Sequence, residues 1–423
     1  MSTPIHIEIC IKNSSSATKL EVKEYVSRFV SRTRLELQNG FLSFKTFNDE
    51  PYLAENVYCI TCDVGDSLQL PGFQPKTLLE KKWTPCFHLY RLNGSEREGY
   101  DIGAQEDETI STASQWTLPC REFHGLWENL VYNSNLKDQL LSYANTALMF
   151  SDRQVNSHIV SCNRVVLLHG PPGTGKTSLC RALAQKLAIR LGDRYLQTLL
   201  IEINSHSLFS KWFSESGKLV HRMFEDIRAK TRNPELLICV LIDEVESLTA
   251  ARSAAIKGTD PSDAIRVVNA FLTQIDRIKK HSNVLILTTS NVTGAIDVAF
   301  VDRADIKHYI GVPSAAAAYS IYRSCFQELS RVGIIKTGEK LLDLRALDIL
   351  RMAENPITRL SLRLLDIARQ SNGFSGRTLR KLPFLAYALY FKGGNVTAEM
   401  FLDMLEAVVQ KQHKDRENMD VEQ

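Results

Sequence analysis

Long apolar runs are missing from these 423 residues: none approaches the roughly 18 apolar positions of a membrane-spanning helix, so a soluble protein without a membrane partner is expected. Net charge is almost absent too. Lys and Arg number 51 against 48 Asp and Glu, leaving +3, which excludes a histone-like or strongly acidic character and makes nucleic-acid capture depend on a local patch. Cysteine is sparse and scattered, nine residues with only Cys59 and Cys62 close together, and no secretory signal or transit peptide is evident before Ile5; a reducing compartment is expected. The Cys59–Cys62 spacing suits a zinc half-site or a redox motif. No second CxxC or HxxxH accompanies it, however, and it lies inside Val57–Val64, which alternates like a strand, so buried strand cysteines are the preferred reading. Internal repeats are also lacking. The 44% hydrophobic and 23% charged content is ordinary for a globular chain, here long enough for two or three domains.

Against that plain background one stretch stands out. Gly170–Thr177 reads GPPGTGKT, directly after the apolar run Arg164–Leu168 and before the helix-forming run Ser178–Ala184. A glycine-rich turn between strand and helix lets backbone N–H groups turn inward on a phosphate, so Gly170, Pro171, Pro172, Gly173, Thr174, Gly175, Lys176, Thr177 and Ser178 form a candidate P-loop for ATP. Lys176 would reach the β- and γ-phosphates and the Thr177 hydroxyl would reach Mg²⁺. A second buried-strand run, Ile238–Ile242, ends in Asp243 and Glu244, as a parallel strand opening onto a phosphate crevice would. Asp243 reads as a Mg²⁺ holder through water and Glu244 as the general base for the attacking water.

Residues 1–100 read as a small α+β domain: Ile5–Ile9 alternates, Leu20–Leu35 has helical spacing, and Val57–Val64 is a further strand. Polar residues 101–114 form a linker. From 115 to 313 continuous apolar strands alternate with helices, at Arg164–His169, Leu199–Asn204, Leu236–Asp243, Val284–Ser290 and Ile306–Gly311, which predicts a parallel five-stranded sheet covered on both faces. Residues 314–410 read as a helical lid, and 411–423 as a polar tail expected to fray.

The P-loop, the two acids, Thr288–Asn291, Asp302–Arg303 and Gly376–Arg377, in this order, resemble the AAA+ ATPase superfamily over roughly residues 115–410. KWFSESGKLV, VDRADIKHYIGVP and NGFSGRTLRKLPFLAYALY are similar to the pachytene checkpoint family of AAA+ ATPases, also known from thyroid-receptor-interacting proteins, which remodel HORMA-domain proteins. The resemblance implies an α/β AAA+ P-loop fold with a C-terminal helical lid behind a small α+β N-terminal domain. It implies roles as well. Asn291 would be the sensor 1 residue that orients the water or contacts the γ-phosphate. Arg303 would be an arginine finger acting in trans in a closed hexamer, although DRAD offers one arginine where many relatives carry two, and a surface ion pair with Asp302 or Asp305 is the plainer alternative. Arg377 would be the sensor 2 arginine, with Arg380 and Lys381 as alternatives. Phe123, His124 and Gly125 are candidates for covering adenine by position alone.

Trp212 and Phe213, in a polar loop that faces the central pore in similar rings, would grip an extended polypeptide, unless they simply pack beneath the loop. Thr249–Asp263 is a second, Ala- and Ser-rich loop that either lines the pore or has no role. Residues 1–100 would select the client, directly or through a HORMA-like adaptor. By this resemblance ATP hydrolysis opens closed HORMA proteins and dismantles their complexes in spindle checkpoint and meiotic chromosome control, with nucleus and cytoplasm, chromosomes or kinetochores as places of action. A nucleic-acid AAA+ machine such as a clamp loader, helicase or origin factor is the alternative, disfavoured because Trp-Phe stands where Lys or Arg would be needed and no basic hairpin or winged helix is added. An ATP-binding scaffold without turnover is disfavoured by the intact Lys176, Glu244, Asn291 and Arg303.

Overall fold

The computed structural model describes residues 3–421 except 33–40, 64–82, 95–97, 102–110, 157, 206–215, 249–262, 293–295, 297, 337 and 392. The chain divides into two compact units. The first comprises residues 1–128, 135–170 and 176–309, and the second 129–134, 171–175 and 310–423.

The first unit holds two sheets. Strands β1 (Thr3–Ile11), β2 (Phe41–Phe44), β3 (Val57–Asp63) and β4 (Trp83–Arg91) form one in the order β2-β3-β1-β4, with β1 antiparallel to β3 and parallel to β4. Helices α1 (Lys19–Arg32) and α2 (Pro51–Asn56) accompany it, and α1 turns Val22, Val26 and Val30, at helical spacing, onto Ile5, Ile7, Ile9 and Leu53. Cys59 and Cys62 are both buried on β3, the preferred reading of that pair, although burial there does not alternate.

The second sheet is ordered β11-β7-β10-β9-β8-β6-β5. Its five parallel strands are β7 (Val165–His169), β8 (Gln197–Asn204), β9 (Leu236–Asp243), β10 (Val284–Ser290) and β11 (Ile306–Tyr309). β10 is buried along its whole length, and β7 and β9 up to their last residue, which accounts for their unbroken apolar runs. Two antiparallel strands, β5 (Glu98–Asp101) and β6 (Ser111–Leu118), extend the sheet beyond β8. The expected linker 101–114 is therefore corrected at both ends, where polar residues pair on a sheet edge; residues 102–110 lie outside the described residues. Helices α3 (Leu126–Asn129), α4 (Leu136–Asp152), α5 (Lys176–Arg190), α6 (Ser216–Lys230), α7 (Asp263–Ile278) and α8 (Val298–Arg303) connect these strands. Phe224 of α6 meets Phe271 of α7 edge to face at 5.3 Å within the core.

Helix α5 lacks a polar face because it is covered on more than one side. It contacts β8, β9 and β10 of the large sheet, β4 of the small one, and α4. Its second half carries Lys186 and Arg190, which bind acids of the N-terminal sheet: Lys186 Nζ donates to Glu8 Oε2 at 2.7 Å, Arg190 Nε to Glu8 Oε1 at 3.0 Å, and Arg190 also pairs with Asp63.

In the second unit, α9 (Ala315–Arg331), α10 (Leu344–Ile349), α11 (Arg359–Gln370), α12 (Gly376–Tyr390) and α13 (Ala398–Val421) pack around one apolar cluster that includes Tyr319, Leu364, Leu379 and Leu405. The polar tail 411–423 does not fray as expected: α13 runs unbroken to Val421. His413 stacks on Phe374 at 4.3 Å, and Arg416 Nη1 donates to the Gly373 carbonyl at 3.1 Å, contacts that a periodicity argument misses.

Candidate nucleotide site

β10 lies between β7 and β9, so the carboxyl ends of three neighbouring parallel strands present, in turn, Asn291, the turn that starts at Gly170, and Asp243 with Glu244. Such a crevice is where open α/β sheets bind ligands. The Gly170 amide donates to the Ser290 carbonyl at 3.2 Å, tying the start of the turn to the end of β10. Gly170, Gly173 and Gly175 have φ of 141°, 75° and 91°, a backbone path that side-chain-bearing residues adopt only with strain. Within the turn the Thr174 hydroxyl donates to the Pro171 carbonyl at 2.9 Å, with Pro172 between them. Lys176 is buried, and its ammonium donates to the Gly170 carbonyl at 2.8 Å; Ser178 follows on the first turn of α5.

Thr177 Oγ1 donates to Asp243 Oδ1 at 2.8 Å. Thr289 makes three bonds here that the sequence did not single out: its hydroxyl donates to Asp243 Oδ1, its Oγ1 accepts from the Glu244 amide at 3.3 Å, and its carbonyl accepts from Val245 N at 2.9 Å. Glu244 sits at φ 59°, the left-handed region that costs a residue with a side chain about 1–2 kcal/mol. Ser205 and Ser247 hold it there, both donating to the Glu244 carbonyl at 2.8 Å. The Asn291 side-chain amide donates to Glu244 Oε1 at 3.2 Å, and its backbone N–H donates to Glu246 Oε1 at 3.0 Å. The acid, the amide and the hydroxyl clamp thus form one preorganised group at the strand ends.

The donor set suits a nucleoside triphosphate with a divalent cation. The Thr177 hydroxyl and the Asp243 carboxylate converge on one another, and such hard oxygen donors are the kind Mg²⁺ takes, while buried Lys176 and the glycine turn match phosphate.

In the second unit, the Arg377 amide donates to the Gly173 carbonyl at 3.0 Å. A Cβ on Gly173 would meet Ser375 Oγ at 2.8 Å and Arg377 Cβ at 3.2 Å, so this arginine stands directly against the turn. Arg380, its sequence alternative, instead bonds the Asn129 carbonyl. Tyr132 donates to the Gly175 carbonyl at 3.1 Å, and Leu130 is next to the same glycine. These residues adjoin the turn; of the candidates for covering adenine, Phe123 is buried against Trp116, His124 faces Tyr58 and Cys59, and Gly125 stands at φ 75°.

Arg303 pairs with neither Asp302 nor Asp305. Its Nε and Nη2 grip Asp276 on α7 at 3.0 and 2.7 Å, and Nη1 donates to the Ala299 carbonyl at 2.7 Å. Burial pushes the Asp276 carboxyl up, but hydrogen bonds from Arg303 and Lys279 outweigh it and hold the pKa below its ordinary value. Trp212, Phe213 and the loop up to residue 262 lie outside the described residues.

Three family models tile the chain: the TRIP13 N-terminal domain over residues 1–95, the ATPase family associated with various cellular activities over 166–312, and the TRIP13-like AAA+ ATPase lid C-terminal domain over 314–413. The chain is 53% identical to the Homo sapiens pachytene checkpoint protein 2 homolog over 420 residues, covering 99% of this chain and 95% of that one. It is 50% identical to the Danio rerio homolog over 416 residues, with 98% and 95% covered. Among solved structures, C. elegans PCH-2 superposes with a TM-score of 0.76 at 35% identity, covering 97% of this chain and all of that one. A chain of the E. coli MS115-1 HORMA:CdnC:Trip13 complex shares the fold at a TM-score of 0.52 and 18% identity, over 69% of this chain and 94% of its own length.

Proposed function

The chain belongs to the pachytene checkpoint protein 2 family of AAA+ ATPases, and from that premise we propose that it works as a homo-hexamer that spends ATP on opening HORMA-domain proteins. ATPase activity itself comes with the family. Its chemical centre is the group held at three adjacent strand ends: Thr177 with Asp243, and Glu244 with Asn291. The glycine turn and Lys176 bind the triphosphate. Thr177 and Asp243 would hold Mg²⁺, which would supply positive charge against the charge that develops on the triphosphate. Glu244 takes a proton from the attacking water, and Asn291 keeps its carboxylate aimed. Arg377, against Gly173, would sense the nucleotide from the lid, and Arg303 would serve the site of a neighbouring subunit.

The HORMA clients are supported by the complex in which the E. coli relative was solved. Residues 1–100 would receive the client through a HORMA-like adaptor, and Trp212 and Phe213 would grip it in the pore, opening the closed form in checkpoint and meiotic settings of the nucleus and cytoplasm. Hydrolysis can drive such a conversion when the motor pulls on a segment of low local stability.

Steady-state ATPase and closed-to-open conversion of a HORMA client, with its adaptor, test the reading in two variants. Glu244→Gln should end turnover while ATP binding and the hexamer persist. Trp212→Ala should hydrolyse ATP without converting the client. Conversion by the Trp212 variant sinks the threading step; turnover stimulated by DNA and never by a HORMA client sinks the client class.

A further inference from the structure

A cavity of about 530 Å³ opens beside the end of β1, lined by Cys10, Lys12, Tyr58, Leu92, Arg121 and His124 among others. Cys10 faces Cys59 directly across the antiparallel β1–β3 ladder. The register slips immediately beyond that pair, where Ile11 lies opposite Val57 and Tyr58 is left over as a bulge, exposed and edge-on to the His124 ring. Bulges of this kind locally release the ladder and often sit beside reactive sites. The Cys59 sulfur is 3.8 Å from His124 Nε2, and the two cysteines are buried in one cluster.

We propose that Cys10 and Cys59 are a peroxide-responsive thiol pair beside this cavity, with Cys10 and His124 in its wall, closing to a reversible intramolecular disulfide. Directly opposed residues of an antiparallel pair have Cα atoms about 4.5–5.5 Å apart, inside the span a disulfide bridges. In the first step the Cys59 thiolate attacks one oxygen of a hydroperoxide; the O–O bond breaks, the leaving oxygen takes a proton and departs as water or alcohol, and sulfur is oxidised to the sulfenic acid. In the second, the Cys10 sulfur attacks Cys59, the S–S bond forms, and hydroxide leaves with the Cys10 proton as water. An external thiol reverses the bond.

Two other strand cysteines supply the contrast. Burial pushes Cys62 and Cys239 up to about 12, which leaves them inert thiols. At Cys59 the hydrogen bond from Cys10 outweighs burial, and His124 adds to it, so this thiol is pushed down instead while Cys10, the proton donor, is pushed up. The His124 imidazole beside Cys59 marks this thiol as the nucleophile and Cys10 as the resolving one.

The test is hydrogen peroxide added to the folded full-length chain, quenched by alkylation and mapped by peptide mass spectrometry. A Cys10–Cys59 linked peptide should form ahead of any change at Cys62, Cys180 or Cys239 and vanish with dithiothreitol. Cys10→Ser should leave Cys59 as a sulfenic acid trapped by dimedone, and His124→Asn should slow linkage. Wild-type mapping alone is decisive if a variant fails to fold. Consumption of peroxide at half-buried Cys86, Cys162 or Cys325 with the pair left reduced overturns the proposal.

Discussion

Replacing Glu8 by Gln keeps the shape of a side chain only 2% exposed and removes its charge. Glu8 accepts from Lys186 at 2.7 Å and from Arg190 at 3.0 Å; Lys186 also bonds Glu128 at 3.0 Å, and Arg190 also pairs with Asp63. Burial alone would depress the Lys186 and Arg190 pKa values, yet the acids hold both above their ordinary values, so both cations stay charged in the interior. Losing Glu8 removes two charge-assisted hydrogen bonds at roughly 1.5–3 kcal/mol each. That agrees with the roughly 3–5 kcal/mol seen when one partner of a buried ion pair is deleted, because the surviving cations cannot return to water. At about 2 °C or more per kcal/mol, the melting transition of the first unit should fall by roughly 6 °C or more in calorimetry. Arg359→Ala is the control. It removes a surface pair with Glu399 whose side chains are 59% and 55% exposed, worth about 0–1 kcal/mol. A Glu8→Gln shift no larger than that of Arg359→Ala would refute the view that this cluster fastens the N-terminal sheet to the helix that follows the phosphate turn.

Gly173→Ala should weaken nucleotide binding about tenfold or more by titration, because the new methyl meets Ser375 Oγ at 2.8 Å on a backbone at φ 75°; pairing it with Ser375→Gly should recover part of the loss. Arg303→Ala should bind ATP normally yet lose turnover, and mixing it with Lys176→Ala chains should restore activity; persistence of turnover in the unmixed variant removes Arg303 from the chemistry. His6, hydrogen-bonded to His88 at 2.9 Å, is pushed down from 6.5 to about 4 by burial and then by Arg190. The unfolded chain therefore binds a proton near pH 6.5 that the folded chain refuses until about 4, so stability is full above that window and falls as pH drops through it. His6→Gln should flatten the urea midpoint between pH 6.5 and 4, and an unchanged slope refutes the assignment.

The parallel strands were legible because strands buried on both faces must be apolar throughout, as β9 and β10 are. β5 and β6 were not, since a polar strand such as β6, with Ser111, Ser114 and Gln115, looks like a linker until its partner strands β5 and β8 are known. The phosphate turn and its acids could be read for a local reason: their chemistry demands particular residue types at fixed spacing. Thr289 and Ser205 could not, because a hydroxyl becomes a clamp on Glu244 only once β8, β9 and β10 lie side by side.

Sequence alone therefore determined where the candidate phosphate turn and its acids lie, and the family to which the chain belongs. Only tertiary structure decided which partners those residues have: Asp276 for Arg303, Gly173 for Arg377, Glu8 for Lys186, Cys59 for Cys10. Each of these pairs joins positions far apart along the chain, and no local periodicity or propensity carries information about who stands opposite whom.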